Sequence, residues 1–220
     1  MIHRANLANF LAGDLYGITD AAHCLGRGNV ETVRQLLAAG VTVIQYREKD
    51  LSGREMYDEC KAIRALTAAA GATFIVNDHV DLAVVVGADG VHVGQDDLPI
   101  EEVRRLVGPD MVIGLSTNAP DQARAADRLA GVIDYIGVGP VFATATKKDA
   151  SAPTGLQYLD FVAANISLPF VPIGGIKANN IAEVRRRGAG IIALVTDIVG
   201  APDIAAQVAA LRAILAATPV

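Results

Sequence analysis

Gln45, Arg47 and Lys49 stand at alternate positions where the β-branched, apolar run Val41-Thr42-Val43-Ile44 ends. Such a run reads as a strand. Strand side chains alternate faces, so these three share the side of Val43, while Thr42, Ile44, Tyr46 and Glu48 point the other way. A dry core does not accept two unpaired cations, so this strand end faces water or an anion. Two cations and an amide suit a phosphate or diphosphate. The competing explanation is a solvated strand end whose cations pair with nearby acids.

Asn77-Asp78 closes the apolar run 73–76, and Asp96-Asp97 follows the run 90–93. Carboxylates Asp78 and Asp97, with no cysteine near, favour a hard ion such as Mg²⁺, which takes one or two carboxylates and leaves room for phosphate oxygens. Capping of the following helices is the alternative. Gly174-Gly175 lets backbone N–H groups approach a phosphate before a helix, with Thr196 opposite; a plain tight turn is the simpler explanation. The long loop 139–155 brings Thr144, Thr146, Lys147 and Lys148, whose donors suit phosphate oxygens, and loops of this length are lids, binding loops or disordered. His3, His23, His79 and His92 do not assemble into a site by spacing. The chain has no G-x-S-x-G motif and no G-x-G-x-x-G after a strand, so serine hydrolysis and dinucleotide binding lack support.

The elements that must position these groups alternate in type. Residues 1–13 read as a leading helix or arm. Strands are predicted at 15–20, 41–47, 73–76, 90–93, 112–115, 134–138, 170–173 and 191–195. Helices are predicted at 30–39, 52–70, 79–87, 99–107, 120–130, 156–165, 178–187 and 202–216. Ser52 serves as the cap of the second of these and Gly71 as its end. Eight strand–helix units imply a parallel sheet, and in this length a single (β/α)₈ TIM barrel over residues 1–220; a doubly wound open sheet is the runner-up. In a barrel the strand C-termini gather at one rim, where the polar strand ends named above would collect.

The 220 residues are 52% hydrophobic with mean hydropathy +0.36, enough for one large core. A net charge of -5 argues against nucleic acid or a membrane surface as partner. No apolar run reaches the length of a membrane span, and the N-terminus lacks a signal peptide's apolar stretch. Cys24 and Cys60 read as ordinary thiols of a reducing cytoplasm. Oligomeric state stays open.

Together the motifs resemble the thiamine phosphate synthase family. The likeness rests on Gln45-Tyr46-Arg47-Glu48-Lys49, Asn77-Asp78, the stretch 88–97 ending Gly94-Gln95-Asp96-Asp97, Gly114-Leu115-Ser116-Thr117, 137–149 and Ile173-Gly174-Gly175-Ile176. It extends from about Tyr16 to Ile198. The resemblance implies coupling of hydroxymethylpyrimidine diphosphate to hydroxyethylthiazole phosphate, giving thiamine phosphate and pyrophosphate. It implies that Gln45, Arg47, Lys49, Asn77, Ser116 and Lys147 bind the pyrimidine diphosphate. Asp78 and Asp97 would then hold Mg²⁺, and Thr144, Thr146, Gly175, Val195 and Thr196 would bind the thiazole phosphate.

The chain departs from the family's pattern at four places. Thr196 replaces a common serine, Asp197 and Pro172 replace small residues, and Asn118 replaces a frequent histidine. An acid at 197 repels a phosphate unless it points away. The rival readings are a thiazole tautomerase, which needs no diphosphate set, another phosphate-binding barrel such as a sugar-phosphate isomerase, and a silent metabolite-binding barrel.

Overall fold

The computed structural model describes residues 2–144, 146 and 152–219, with side chains from residue 5 onward. Eight parallel strands form one sheet: β1 (Leu15–Ile18), β2 (Val43–Tyr46), β3 (Thr73–Asn77), β4 (Gly90–Val93), β5 (Val112–Thr117), β6 (Tyr135–Val138), β7 (Phe170–Pro172) and β8 (Ile192–Leu194). Their order is β7-β6-β5-β4-β3-β2-β1-β8. β7 and β8 also lie in contact, so the sheet is a nearly closed barrel. The predicted TIM barrel is therefore the fold, and the open sheet is not.

The helices are α1 (Ile2–Leu11), α2 (Asn29–Ala38), α3 (Gly53–Ala70), α4 (Val80–Val86), α5 (Ile100–Val107), α6 (Pro120–Asp127), α7 (Gly155–Asn165), α8 (Ile181–Arg185), α9 (Thr196–Val199) and α10 (Ile204–Ala216). α3 starts and stops where its sequence dictates. Ser52 and Glu55 form a reciprocal capping box, and Gly71 ends the helix in the left-handed conformation. The short α9 was not anticipated. α8 begins later than expected because residues 177–180 form a turn, so Gly174-Gly175 does not open directly into a helix. Strand β2 stops at Tyr46, one residue before Arg47.

Alternation along the strands makes two apolar layers. Ile44, Phe74, Val91, Ile113, Ile136 and Leu194 face outward and pack beneath the helices. Tyr16, Val43, Ile75, Val112, Tyr135 and Val171 fill the barrel interior together with Phe10 of α1. Phe10 is fully buried. Its ring stacks on Tyr135 at 4.4 Å between centroids and meets Tyr16 edge-on at 5.6 Å. The leading helix therefore plugs the barrel floor.

Candidate active site

A cavity of about 560 Å³ opens at the strand C-termini, within the usual range for small-molecule sites. Gln45, Arg47 and Lys49 all line it. Gln45 points inward beside Val43, as the alternation predicted, and is 3% exposed. Arg47 is held through its backbone, whose N–H donates to the Thr19 hydroxyl at 2.9 Å. Its guanidinium lies 3.6 Å from the Asp20 carboxylate, and Lys49 pairs with Asp78. Both cations thus have acid partners and still face the cavity, so the two explanations of this strand end hold together. Glu48 turns to the opposite side and accepts from the Lys49 and Asp50 amides at 2.7 and 3.1 Å. Burial pushes its carboxyl up, but those amides, Asn29 and Arg47 outweigh burial and leave it below the usual value. An ionised Glu48 thereby fixes the backbone that carries Arg47 and Lys49.

Asn77, Asp78, Asp96 and Asp97 form the adjoining wall. Asp78 adopts a positive φ of 60°, a strained conformation for a residue other than glycine, costing about 1–3 kcal/mol. α4 has no side-chain cap, so Asp78 is not there as a capping residue. Asp97 accepts from the Gly94 amide at 2.6 Å and does not cap α5 either. Among the described residues lining the cavity, three carboxylates outnumber two cations. Added positive charge on that wall would favour an anion here, and hard oxygen donors are the ligands Mg²⁺ prefers. The residues fit the ion, although among the described residues no group of three or more potential ligands gathers.

The far wall carries Ser116, Thr144, Thr146, Gly174, Gly175, Val195 and Thr196. Thr144 and Thr146 share a hydrogen bond between hydroxyls at 3.1 Å. Gly174 and Gly175 have φ of 98° and 63°. A Cβ on Gly174 would lie 2.4 Å from Pro140, and one on Gly175 2.5 Å from the Ala143 carbonyl. Close packing against 140–143 demands both glycines, whatever they bind. Asp197 does not meet the cavity wall. Its carboxylate accepts from the Ala178 amide at 3.2 Å and from Gln207 at 2.9 Å, so the acid is turned away from Thr196. Lys147 lies outside the described residues, as do Lys148 and Asp149.

Four groups escaped the sequence reading, which left His92 outside any site. His92, Tyr16, Tyr135 and Gln95 all line the cavity. The period-2 alternation of β4 could have placed His92 inward. Tyr16 and Tyr135 lie near the N-terminal ends of their strands, where a site is not sought, yet their length carries the hydroxyls up to the cavity.

The family model described as thiamine monophosphate synthase matches residues 15–198. A thiamine-phosphate synthase of Pelotomaculum thermopropionicum is 62% identical, with 98% of each chain covered. One from Lawsonia intracellularis is 52% identical over 92% of each chain. Among solved structures, a thiamine phosphate pyrophosphorylase from Pyrococcus furiosus superposes with a TM-score of 0.84 at 36% identity, covering 96% of this chain and 98% of its own. A shared fold, a shared rim and identity of this extent over nearly the full length leave one assignment: the chain belongs to the thiamine monophosphate synthase family and is a transferase of thiamine biosynthesis.

Proposed function

We propose that the chain couples hydroxymethylpyrimidine diphosphate to hydroxyethylthiazole phosphate, releasing pyrophosphate, with Mg²⁺ as cofactor. One observation carries the reading: a single cavity has the Arg47, Lys49, Asn77, Asp78 and Asp97 wall on one side and the Thr144, Thr146, Gly175, Val195 and Thr196 wall on the other. Two phosphorylated substrates can meet between them. Asp78 and Asp97 would hold Mg²⁺, which supplies positive charge to the diphosphate. Arg47, Lys49 and Lys147 neutralise the leaving group as its C–O bond breaks. Gln45, Asn77 and Ser116 orient the pyrimidine, whose transient cation is captured by the thiazole nitrogen. No protein nucleophile is needed; orientation and exclusion of water are the chain's work.

The tautomerase reading leaves the diphosphate wall without a purpose. Substrates are small molecules, not nucleic acid or membrane; no helix among the described residues is long and apolar enough to cross a membrane. The two buried thiols, Cys24 and Cys60, suit a cytoplasmic enzyme.

The test is an assay of the purified protein with both substrates. Thiamine phosphate and pyrophosphate should appear in equal amounts, vanish with EDTA and return with Mg²⁺. Binding of both substrates without product would reject the synthase reading in favour of a silent barrel.

A further inference from the structure

A chain of five polar groups crosses the cavity floor. Gln45 Nε2 donates to the Tyr16 hydroxyl at 2.7 Å. The Tyr16 and Tyr135 hydroxyls are 3.1 Å apart. The Tyr135 hydroxyl is 2.9 Å from His92 Nδ1, and His92 Nε2 is 2.9 Å from the Ser116 hydroxyl. Both tyrosines are at most 1% exposed, and burial pushes both phenols well above their ordinary value. Each therefore keeps its one hydrogen.

Those single hydrogens give the chain a direction. Tyr16 accepts from Gln45, so its own hydrogen goes to Tyr135. Tyr135 accepts there, so its hydrogen goes to His92 Nδ1. His92 then carries its proton on Nε2 and donates to Ser116, whose hydroxyl hydrogen is left for the cavity. The opposite direction would require the Gln45 amide turned over, with Oε1 accepting from Tyr16 in place of the Nε2 that donates to it. At the other end, Gln45 lines the cavity and, with Nε2 donating to Tyr16, keeps its Oε1 as the acceptor for a ligand.

The strands are built around this chain. Gly114 on β5 has room for no side chain: a Cβ there would sit 2.2 Å from Tyr135 Cζ and 2.4 Å from His92 Nδ1. A Cβ on Gly137 of β6 would meet the His92 ring at 3.1 Å. Phe10 supports the tyrosine pair from below.

We infer that His92 is a positioning residue, held by Tyr16 and Tyr135 as the Nε2-protonated tautomer, and that the chain makes Ser116 a donor and Gln45 an acceptor toward the ring of the substrate. The inference rests on the proposed pyrimidine diphosphate as ligand. It specifies a heteroaromatic ring presenting an acceptor at Ser116 and an N–H donor at Gln45, read separately from the diphosphate on the Arg47–Lys49 wall.

Two measurements test it. Nitrogen-15 NMR of the histidine-labelled protein, with His92 assigned by loss of its signals in His92→Gln, should show Nδ1 unprotonated and Nε2 protonated. A protonated Nδ1 overturns the chain's direction, whatever the enzyme does. Second, affinities for the pyrimidine diphosphate and for inorganic pyrophosphate are compared in Tyr135→Phe and Tyr16→Phe. The former should weaken about tenfold in each variant while the latter stays within about twofold. Unchanged affinity for both ligands, or equal loss for both, overturns the positioning role. A wild-type protein that binds the pyrimidine diphosphate no better than pyrophosphate overturns the functional reading instead, and the tautomer still decides the chain.

Discussion

At the scale of single residues, Arg47 and Asp97 both line the cavity; Asp97 accepts from the Gly94 amide at the exposed rim, whereas Arg47 pairs with the buried carboxylate of Asp20. Arg47→Ala and Asp97→Ala should each lower turnover by about 100-fold or more. Asp97→Ala should leave the melting temperature within about 2 °C, and Arg47→Ala, which strips buried Asp20 of its guanidinium partner, should lower it while the protein stays folded. Steady-state kinetics beside thermal melts would check this; near-normal turnover in both variants would refute the assigned roles. Arg47→Lys should recover only part of the loss, because a point charge does not replace the guanidinium fork. Asp197 teaches the converse lesson. Its position in the sequence places an acid beside Thr196, and only the hydrogen bonds from Ala178 and Gln207 reveal that the charge is used elsewhere.

Elements decide what residues can reach. α1 reads in the sequence only as a leading helix or arm, yet its Phe10 closes the barrel floor against Tyr16 and Tyr135. Phe10→Ala should cost about 3–5 kcal/mol, measurable by urea unfolding, and a loss below about 1 kcal/mol would show that the plug is not needed. Gly114 belongs to the same argument. Its backbone conformation is open to any residue, so Gly114→Ala tests space alone. The added methyl should displace His92 or Tyr135 and lower turnover by about tenfold or more with little effect on pyrophosphate binding; full activity would mean that the floor yields freely. Strand positions were readable because β-branched runs are bounded by polar residues. The late start of α8 was not, because its turn is set by Asn180, which accepts from the Lys177 amide and donates to the Gly175 carbonyl.

For the whole molecule, closure is the central fact. β1 pairs with β2 on one side and β8 on the other, joining the first and last units of the chain. Asp14, just before β1, seals the same seam by pairing with Arg212 of α10 at 2.7 Å. Burial raises the Asp14 carboxyl, but Arg212 and the Leu15 amide outweigh it and hold the group below its ordinary value of 3.8. A depressed folded-state value means that the stabilisation is fully present above pH 3.8 and is lost as pH falls through the lower folded value. Asp14→Asn should therefore lower the melting temperature at pH 7 and make little difference near pH 2. A gap that persists unchanged in acid would exclude this linkage. The pair is partly exposed, so the effect at pH 7 should be modest.

The sequence by itself determined the alternation of strands and helices, the barrel that follows from it, and the polar strand ends that gather at one rim. These are properties of local periodicity, and each unit repeats them independently. Among the described residues, every site residue it nominated does line one cavity. Tertiary structure alone decided which charges face that cavity and which turn aside, as Arg47 and Asp197 do. It also joined Tyr16, Tyr135, His92 and Ser116, four residues from four strands, into one hydrogen-bonded floor. Contacts of that kind depend on the curvature of a nearly closed sheet and on two glycines that leave room for longer neighbours. No window of sequence contains both partners, so no local pattern could announce them.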